Sequence, residues 1–267
     1  MGKHVLIATI ILCCLLSGCD KKNFYGQPTE KARLMYADSV FYLETNEYTI
    51  KPLSRSIGTY TAFPDNLEID RRTGAITVTQ NGTDGESQTG LWYKITYRSP
   101  ANQVDSAMVL ISGITYIDKF YTLTQGDSII YPIYNGNPAN VLPPGNYDLT
   151  SDNKFAINPV NGEINIKECM RRGFFGNSSW KNASIKYSIK DNSQQATNRI
   201  DLVIYYYRTM GDVPSNVSAL MQAHQRLTVG LRSLPVIPTT TGAIDNNLPS
   251  NLSLSKPRPP CVIIVGN

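Results

Sequence analysis

Leu67-Glu68-Ile69-Asp70-Arg71-Arg72-Thr73-Gly74-Ala75-Ile76-Thr77-Val78 aligns without a gap to Phe155-Ala156-Ile157-Asn158-Pro159-Val160-Asn161-Gly162-Glu163-Ile164-Asn165-Ile166, at an offset of 88 positions (Ile157 against Ile69). Each stretch reads as a strand, a tight turn closed by Thr-Gly or Asn-Gly, and a second alternating strand, which is the sequence form of a β-hairpin. Gly74 and Gly162 supply the positive φ that such a turn requires. Downstream, Leu91 to Ile95 matches Ile185 to Ile189, and Ala107 to Ile111 matches Asp201 to Tyr205. Upstream, Tyr48-Thr49-Ile50-Lys51-Pro52-Leu53 matches Ser128-Ile129-Ile130-Tyr131-Pro132-Ile133, a strand whose proline belongs at an edge or an end. One unit is written twice. The chain therefore reads as all-β, with two tandem β-sandwiches at 37–112 and 113–208 and a boundary near Ile111 to Tyr116.

Composition agrees with that class. Charged residues make up 17% of the chain while tyrosine alone numbers 16, a mix suited to short strands and polar loops rather than long surface helices. The segment 209–267 differs in kind. Pro214-Ser215 followed by Val217, Leu220, Met221, His224 and Leu227 has helical spacing, with Ser215 as N-cap and Gly230 as stop. Prolines and a threonine run then mark irregular chain, which ends in an apolar strand, Cys261 to Val265. That strand is suited to joining a sheet edge, in this molecule or in another.

The first residues carry an address. Lys3 and His4 precede an apolar run, Val5 to Leu16, that is too short to span a bilayer permanently. It ends in Leu16-Ser17-Gly18-Cys19, which resembles a bacterial lipobox. The resemblance implies a signal peptide at 1–18, a diacylglycerol-modified and acylated N-terminus at Cys19, and a polar tether at 19–36. It places the protein in the bacterial cell envelope, on the outer membrane, with the lipid anchor as its membrane contact. Without Lys3 the balance is 24 Lys+Arg against 21 Asp+Glu, too even to argue for a nucleic-acid partner.

The pattern Ile69-Asp70-Arg71-Arg72-Thr73-Gly74-Ala75-Ile76-Thr77-Val78 resembles the hairpin of cadherin-like and related immunoglobulin-like repeats, particularly those of lipoproteins from Bacteroidota. The resemblance covers the two repeats only, and its glycine and apolar residues serve the hairpin rather than any chemistry. Asp38-Ser39-Val40, Asp105-Ser106-Ala107 and Asp127-Ser128-Ile129 are similar to the glycosylation sequon of that phylum's envelope proteins, whereas Asp20-Lys21-Lys22-Asn23 lacks the acidic run of its surface-exported lipoproteins. True cadherins hold calcium between repeats. Here the linker Ile111 to Asp118 offers one carboxylate, and a calcium site needs six or more oxygens, so no metal is expected.

No cofactor or catalytic residue is expected either. Once the signal is removed His224 is the single imidazole, and nothing in the sequence marks an orienting acid or a nucleophile beside it. Cys169 and Cys261 are the thiols that remain after the signal and the lipidated cysteine. In an oxidising envelope they pair if their Cα atoms come within bonding range. Two surfaces are candidates for binding. Alternation in Leu91 to Arg98 puts Trp92 and Lys94 on the face opposite Tyr93 and Ile95, so Trp92 either faces outwards as a stacking surface or packs under another segment. The second repeat adds an insertion, Lys167 to Asn182, with Arg171, Arg172, Phe174, Phe175, Trp180 and Lys181 in one loop. Those side chains either contact a partner or fold back to plug the sandwich. The combined reading is a lipid-anchored, non-catalytic binding or adhesion module. Its alternatives are a glycan-binding accessory of a polysaccharide-uptake system and a fimbria-like assembly subunit whose terminal strand pairs with a neighbour's sheet.

Overall fold

A computed structural model describes residues 33–54, 57–64, 66–80, 88–219, 221–222 and 261–266. The signal, Cys19 and the tether to residue 32 lie outside the described residues, as do His224 and Gly230. Among the described residues no helix is long and apolar enough to cross a membrane. The chain is all-β, and residues 33 to 267 form one compact unit with two large hydrophobic cores.

The first sandwich contains β1 (Val40–Phe41), β2 (Tyr48–Ile50), β3 (Thr59–Phe63), β4 (Ile76–Val78), β5 (Leu91–Arg98) and β6 (Val104–Ile111). One sheet has the order β1-β6-β5-β3, and β2 pairs with β4 across the core. Tyr60, Ile76, Tyr93, Ile95, Val109 and Ile111 fill the space between them, each 1% exposed or less. Leu34 and Tyr36, assigned by the sequence to the tether, are also buried in this core, and the Leu34 N–H donates to Asp105.

The second sandwich contains β7 (Ile114–Tyr116), β8 (Phe120–Thr122), β9 (Ile129–Ile130), β10 (Pro132–Tyr134), β11 (Gly145–Asn146), β12 (Ile164–Asn165), β13 (Trp180–Ile189), β14 (Asn198–Tyr207) and β15 (Cys261–Val265). A short helix, α1 (Ile166–Arg171), follows β12. Its main sheet has the order β11-β13-β14-β15-β8, faced by the pairs β7 with β10 and β9 with β12. Helical residues 215–219 and 221–222 lie over the outside of that sheet, where Val217 and Met221 pack on Ile263.

The repeat seen in the sequence is a repeat of hydrogen bonds. Asp70 N–H donates to Ala75 O and Gly74 N–H to Asp70 O; Asn158 N–H donates to Glu163 O and Gly162 N–H to Asn158 O, all four at 2.8 Å. In both hairpins the glycine carbonyl then accepts from a buried tyrosine hydroxyl, Tyr36 to Gly74 at 2.7 Å and Tyr116 to Gly162 at 2.8 Å. Burial raises both phenols above their usual range, which keeps them protonated and donating. Each glycine also has a tyrosine and a proline against its α-carbon, Tyr60 and Pro52 in one repeat and Tyr147 and Pro132 in the other.

The closing strands depart from the sequence alignment by one residue. In β6 the core residues are Val109 and Ile111, which the alignment set against Val203 and Tyr205; in β14 the core residues are the alternate positions Ile200, Leu202 and Ile204. A strand has a period of two, so a one-residue slip exchanges its faces, and the burial pattern fixes the register that letter matching missed. A larger departure is β15. The sequence placed this strand at a sheet edge, whereas it lies inside the sheet, parallel to β14 and to β8, with Val262 to Val265 each 4% exposed or less.

The glycine contacts make a prediction. A Cβ on Gly74 would sit 2.6 Å from the Tyr60 ring, and one on Gly162 3.0 Å from the Tyr147 ring, both at φ +70. Gly74→Ala and Gly162→Ala should each cost about 2 kcal/mol or more in chemical denaturation, from left-handed strain and overpacking together. Gly126→Ala, also left-handed but with nothing within 4 Å, should cost only about 1 kcal/mol.

Candidate binding surfaces

The insertion in the second repeat folds as a cap over one end of the sandwich. Asn165 begins α1, its side chain accepting the Glu168 N–H at 3.0 Å. Glu168 then binds two cations from its own helix, Arg171 at 2.6 Å and Arg172 at 2.8 Å. These hydrogen bonds hold its carboxyl down at about 2, and Arg172 also donates to Asn153 O. Gly173 and Gly176, both with positive φ, turn the chain back on itself, and Phe174 and Phe175 enter the core. Phe155, Phe174, Phe175 and Tyr206 form a continuous ring ladder with successive centroids 5.1, 5.2 and 5.4 Å apart.

Phe174 and Phe175 are thus corrected from candidate contacts to core, at 8% and 6% exposure. The open end of the sandwich offered them an apolar site, and burying a phenylalanine gains about 1.5–3 kcal/mol. Trp180 remains outside at 50% exposure, and Arg171, Arg172 and Lys181 are exposed with it. The possible pairing of Cys169 with Cys261 does not form. Cys169 is a free thiol on the inner side of α1, 2% exposed, with its sulfur accepting the Ala156 N–H at 3.1 Å. Burial pushes it up to about 11, while Cys261 lies in register with Val203 in the sheet.

Trp92 and Lys94 lie on the outward side of β5, as alternation predicts, but Trp92 is not an open platform. Its indole packs against the turn after β10, with Cδ1 3.2 Å from where a Cβ on Gly136 would stand. The residue belongs to the joint between the sandwiches. Lys94 sits between Phe63 and Met108 in the sheet and is partly buried.

That joint has no linker: β6 ends at Ile111 and β7 begins at Ile114. Ser112 Oγ contacts Asn135 Oδ1 at 2.9 Å and Asp191 Oδ2 at 3.2 Å, while the Tyr134 hydroxyl donates to the same Asp191 oxygen at 3.0 Å. The Gly113 N–H donates to Asn135 Oδ1 and the Ile114 N–H to the buried Tyr187 hydroxyl. Gly90 and Gly113 admit the close approach, since a Cβ on Gly90 would stand 2.4 Å from Ile114 O. From the other side Thr89 Oγ1 donates to Arg199 O, Gln80 donates to Thr197 O, and Ala196 enters the first core.

Beside the cap lies a shallow groove of about 230 Å3 that no stretch of the sequence marks. Asp148, Thr150, Asp152, Asn182 and Ser184 supply its polar rim, and Phe155 and Ile157 its apolar floor. Thr150 holds the rim to β13, donating to Ser184 O at 3.1 Å and accepting the Lys186 N–H at 2.9 Å. Those polar residues fall in an ordinary loop and on one strand, so only the fold brings them together. Groove and cap share one end of the second sandwich, while Arg199 at the joint lies seven residues back along β14 from Tyr206, roughly 23 Å away. Trp92 and Trp180 therefore do not form one site.

No family model matches the chain, and no curated protein matches it. Among solved structures it is similar to a protocadherin gammaB7 EC3-6 cis-dimer, with 13% identity over 64% of this chain and 46% of that one at a TM-score of 0.20. Mouse clustered PcdhgC3 EC1-3 gives 10% identity over 65% and 67% at 0.21, and protocadherin gamma B7 domains 1-4 give 8% over 65% and 50% at 0.20. The chain spans about half the length of the two gamma-B7 fragments. A likeness this slight transfers no property, and the all-β class rests on the strands and cores themselves.

Glu168 sets a pH dependence. Its carboxyl is lowered in the fold from 4.5 to about 2, so its contribution is complete above the unfolded value and is lost as pH falls toward about 2. Thermal melts of Glu168→Gln should lose less stability than the wild type between those two pH values. Equal losses would show that the Arg171 and Arg172 contacts add nothing to the cap.

Proposed function

We propose that the chain is a non-catalytic binding or adhesion module, held to a bacterial envelope through Cys19 and presenting the capped end of its second sandwich to a partner. The observation that carries this reading is the joint. Ser112 meets Asn135 and Asp191, and Gln80 and Thr89 of the first sandwich donate to Thr197 O and Arg199 O of the second, so an anchor at one end would set the position of a surface at the other. The surface carries Trp180 as an aromatic anchor with Arg171, Arg172 and Lys181 around it. Aromatic and arginine side chains are the types that dominate binding energy at protein surfaces.

The adjoining groove favours a glycan as the partner. Sugars present hydroxyls at their edges and C–H faces between them, and a polar rim of Asp148, Asp152 and Asn182 over an apolar floor matches both. The test places the wild type, Trp180→Ala and Asn182→Ala on an oligosaccharide panel by calorimetry, and follows Cys19→Ser in cell fractions. The expected result is heat with at least one glycan, weakened about tenfold or more by either surface change, with Cys19→Ser moving to the soluble fraction. No heat with any glycan would remove the glycan reading, and an unchanged membrane fraction would remove the anchor.

A further inference from the structure

The two sandwiches differ in one strand. In the first, β1 pairs directly and in parallel with β6, Val40 opposite Leu110 and Phe41 opposite Ile111. The equivalent of β1 in the second is β8, eighty positions later, with Tyr121 buried where Phe41 is buried. β8 does not pair with its own closing strand. β15 stands between them, with five register pairs to β14 and three to β8. The second sheet is thus the first sheet opened by one strand, and the strand that fills the opening comes from the far end of the chain.

The inserted strand is buried on both faces. Val262 and Ile264 enter the main core, while Ile263 lies under Val217 and Met221, beside Phe120, Tyr205 and Tyr207. A continuous apolar run such as Cys261-Val262-Ile263-Ile264-Val265 is what a strand covered on both faces requires. Without it, Val262 to Val265 would be exposed and the facing edges of β8 and β14 would lose their partners. Its connection to β14 is long: residues 208–260 separate two adjacent parallel strands, although a crossover of a dozen or so suffices. Residues 223–260, with six prolines, can span at most about 125 Å when fully extended.

We propose that the opening between β8 and β14 is a strand-acceptor site, and that in an assembled form it is filled by residues 261–265 of a second copy of this chain. The contacts are the same whether the strand comes from the same copy or from another. The outcome is therefore set by the effective concentration of the tethered strand, which falls as the linker lengthens and vanishes when the linker is too short to reach. Exchange between identical copies adds no new surface and can continue from one copy to the next. This goes beyond the binding module proposed above, because it concerns how copies join and not what the capped end binds.

The test uses the full chain and a variant lacking residues 212–260, which joins β14 to the terminal strand through residues 208–211 alone, fewer than the dozen or so that a parallel crossover within one copy needs. Both are taken through a roughly hundredfold concentration series by sedimentation velocity, with backbone hydrogen exchange read at residues 261–265. The expected result is oligomers in the shortened chain at concentrations where the full chain is still largely monomeric, with the 261–265 amides protected in both. Adding Ile263→Asp to the shortened chain should return it to monomer. A shortened chain that stays monomeric with those amides protected would overturn the proposal, since the strand then serves only its own copy. Oligomers with unprotected 261–265 amides, or oligomers that survive Ile263→Asp, would overturn it too. Loss of a glycan interaction in the same samples would bear on the capped end and not on the strand.

Discussion

The passage of the chain from one sandwich to the next through Ser112 and Gly113 constrains everything on either side. Two residues separate the last strand of one sheet from the first strand of the next, so the two bodies meet directly at this joint. The Ser112 N–H donates back to Phe41 O in the first sandwich, while Gly113 exchanges hydrogen bonds with Asn135, and Ser112 Oγ meets Asp191 in the second. Gly90 and Gly113 have no Cβ where Ile114 O and the Tyr187 hydroxyl press in. Hydroxyls and one shared carboxylate hold this joint. Such groups are costly to bury unpaired, so the network favours one arrangement over partly opened ones.

Each sandwich is closed by a second device, the tyrosine hydroxyl on the hairpin glycine. It ties the segment that enters each sandwich to the turn of the hairpin. This explains why the hairpin was so legible. Asp70 or Asn158, the glycine and the flanking isoleucines are all fixed by backbone geometry within a few residues, and such short-range requirements leave a clear mark on sequence. The tyrosines that complete the lock come from 38 and 46 positions away, and nothing local marks them.

The same distinction separates what could be read in the candidate site from what could not. Outward exposure of Trp180 and Lys181 follows from their place beside a turn, whereas the fate of Phe174 and Phe175 depended on whether the sandwich end was open beneath them. Trp92 faces away from its own core as alternation required, yet the surface that covers it belongs to the other repeat. The position of β15 had a local signal, since four consecutive buried aliphatics do not fit a strand with one wet face. Its partners had none, because they are set by where a distant segment docks.

A fixed joint gives the binding reading its physical content, because a module that presents its far end to a partner must not bend in the middle. Residual dipolar couplings for backbone amides of β5, β6, β13 and β14 test that claim most directly. The account predicts that one alignment tensor fits all four strands, in the orientation set by the Ser112, Asn135 and Asp191 contacts. Two tensors of different magnitude or orientation, one for each sandwich, would contradict it.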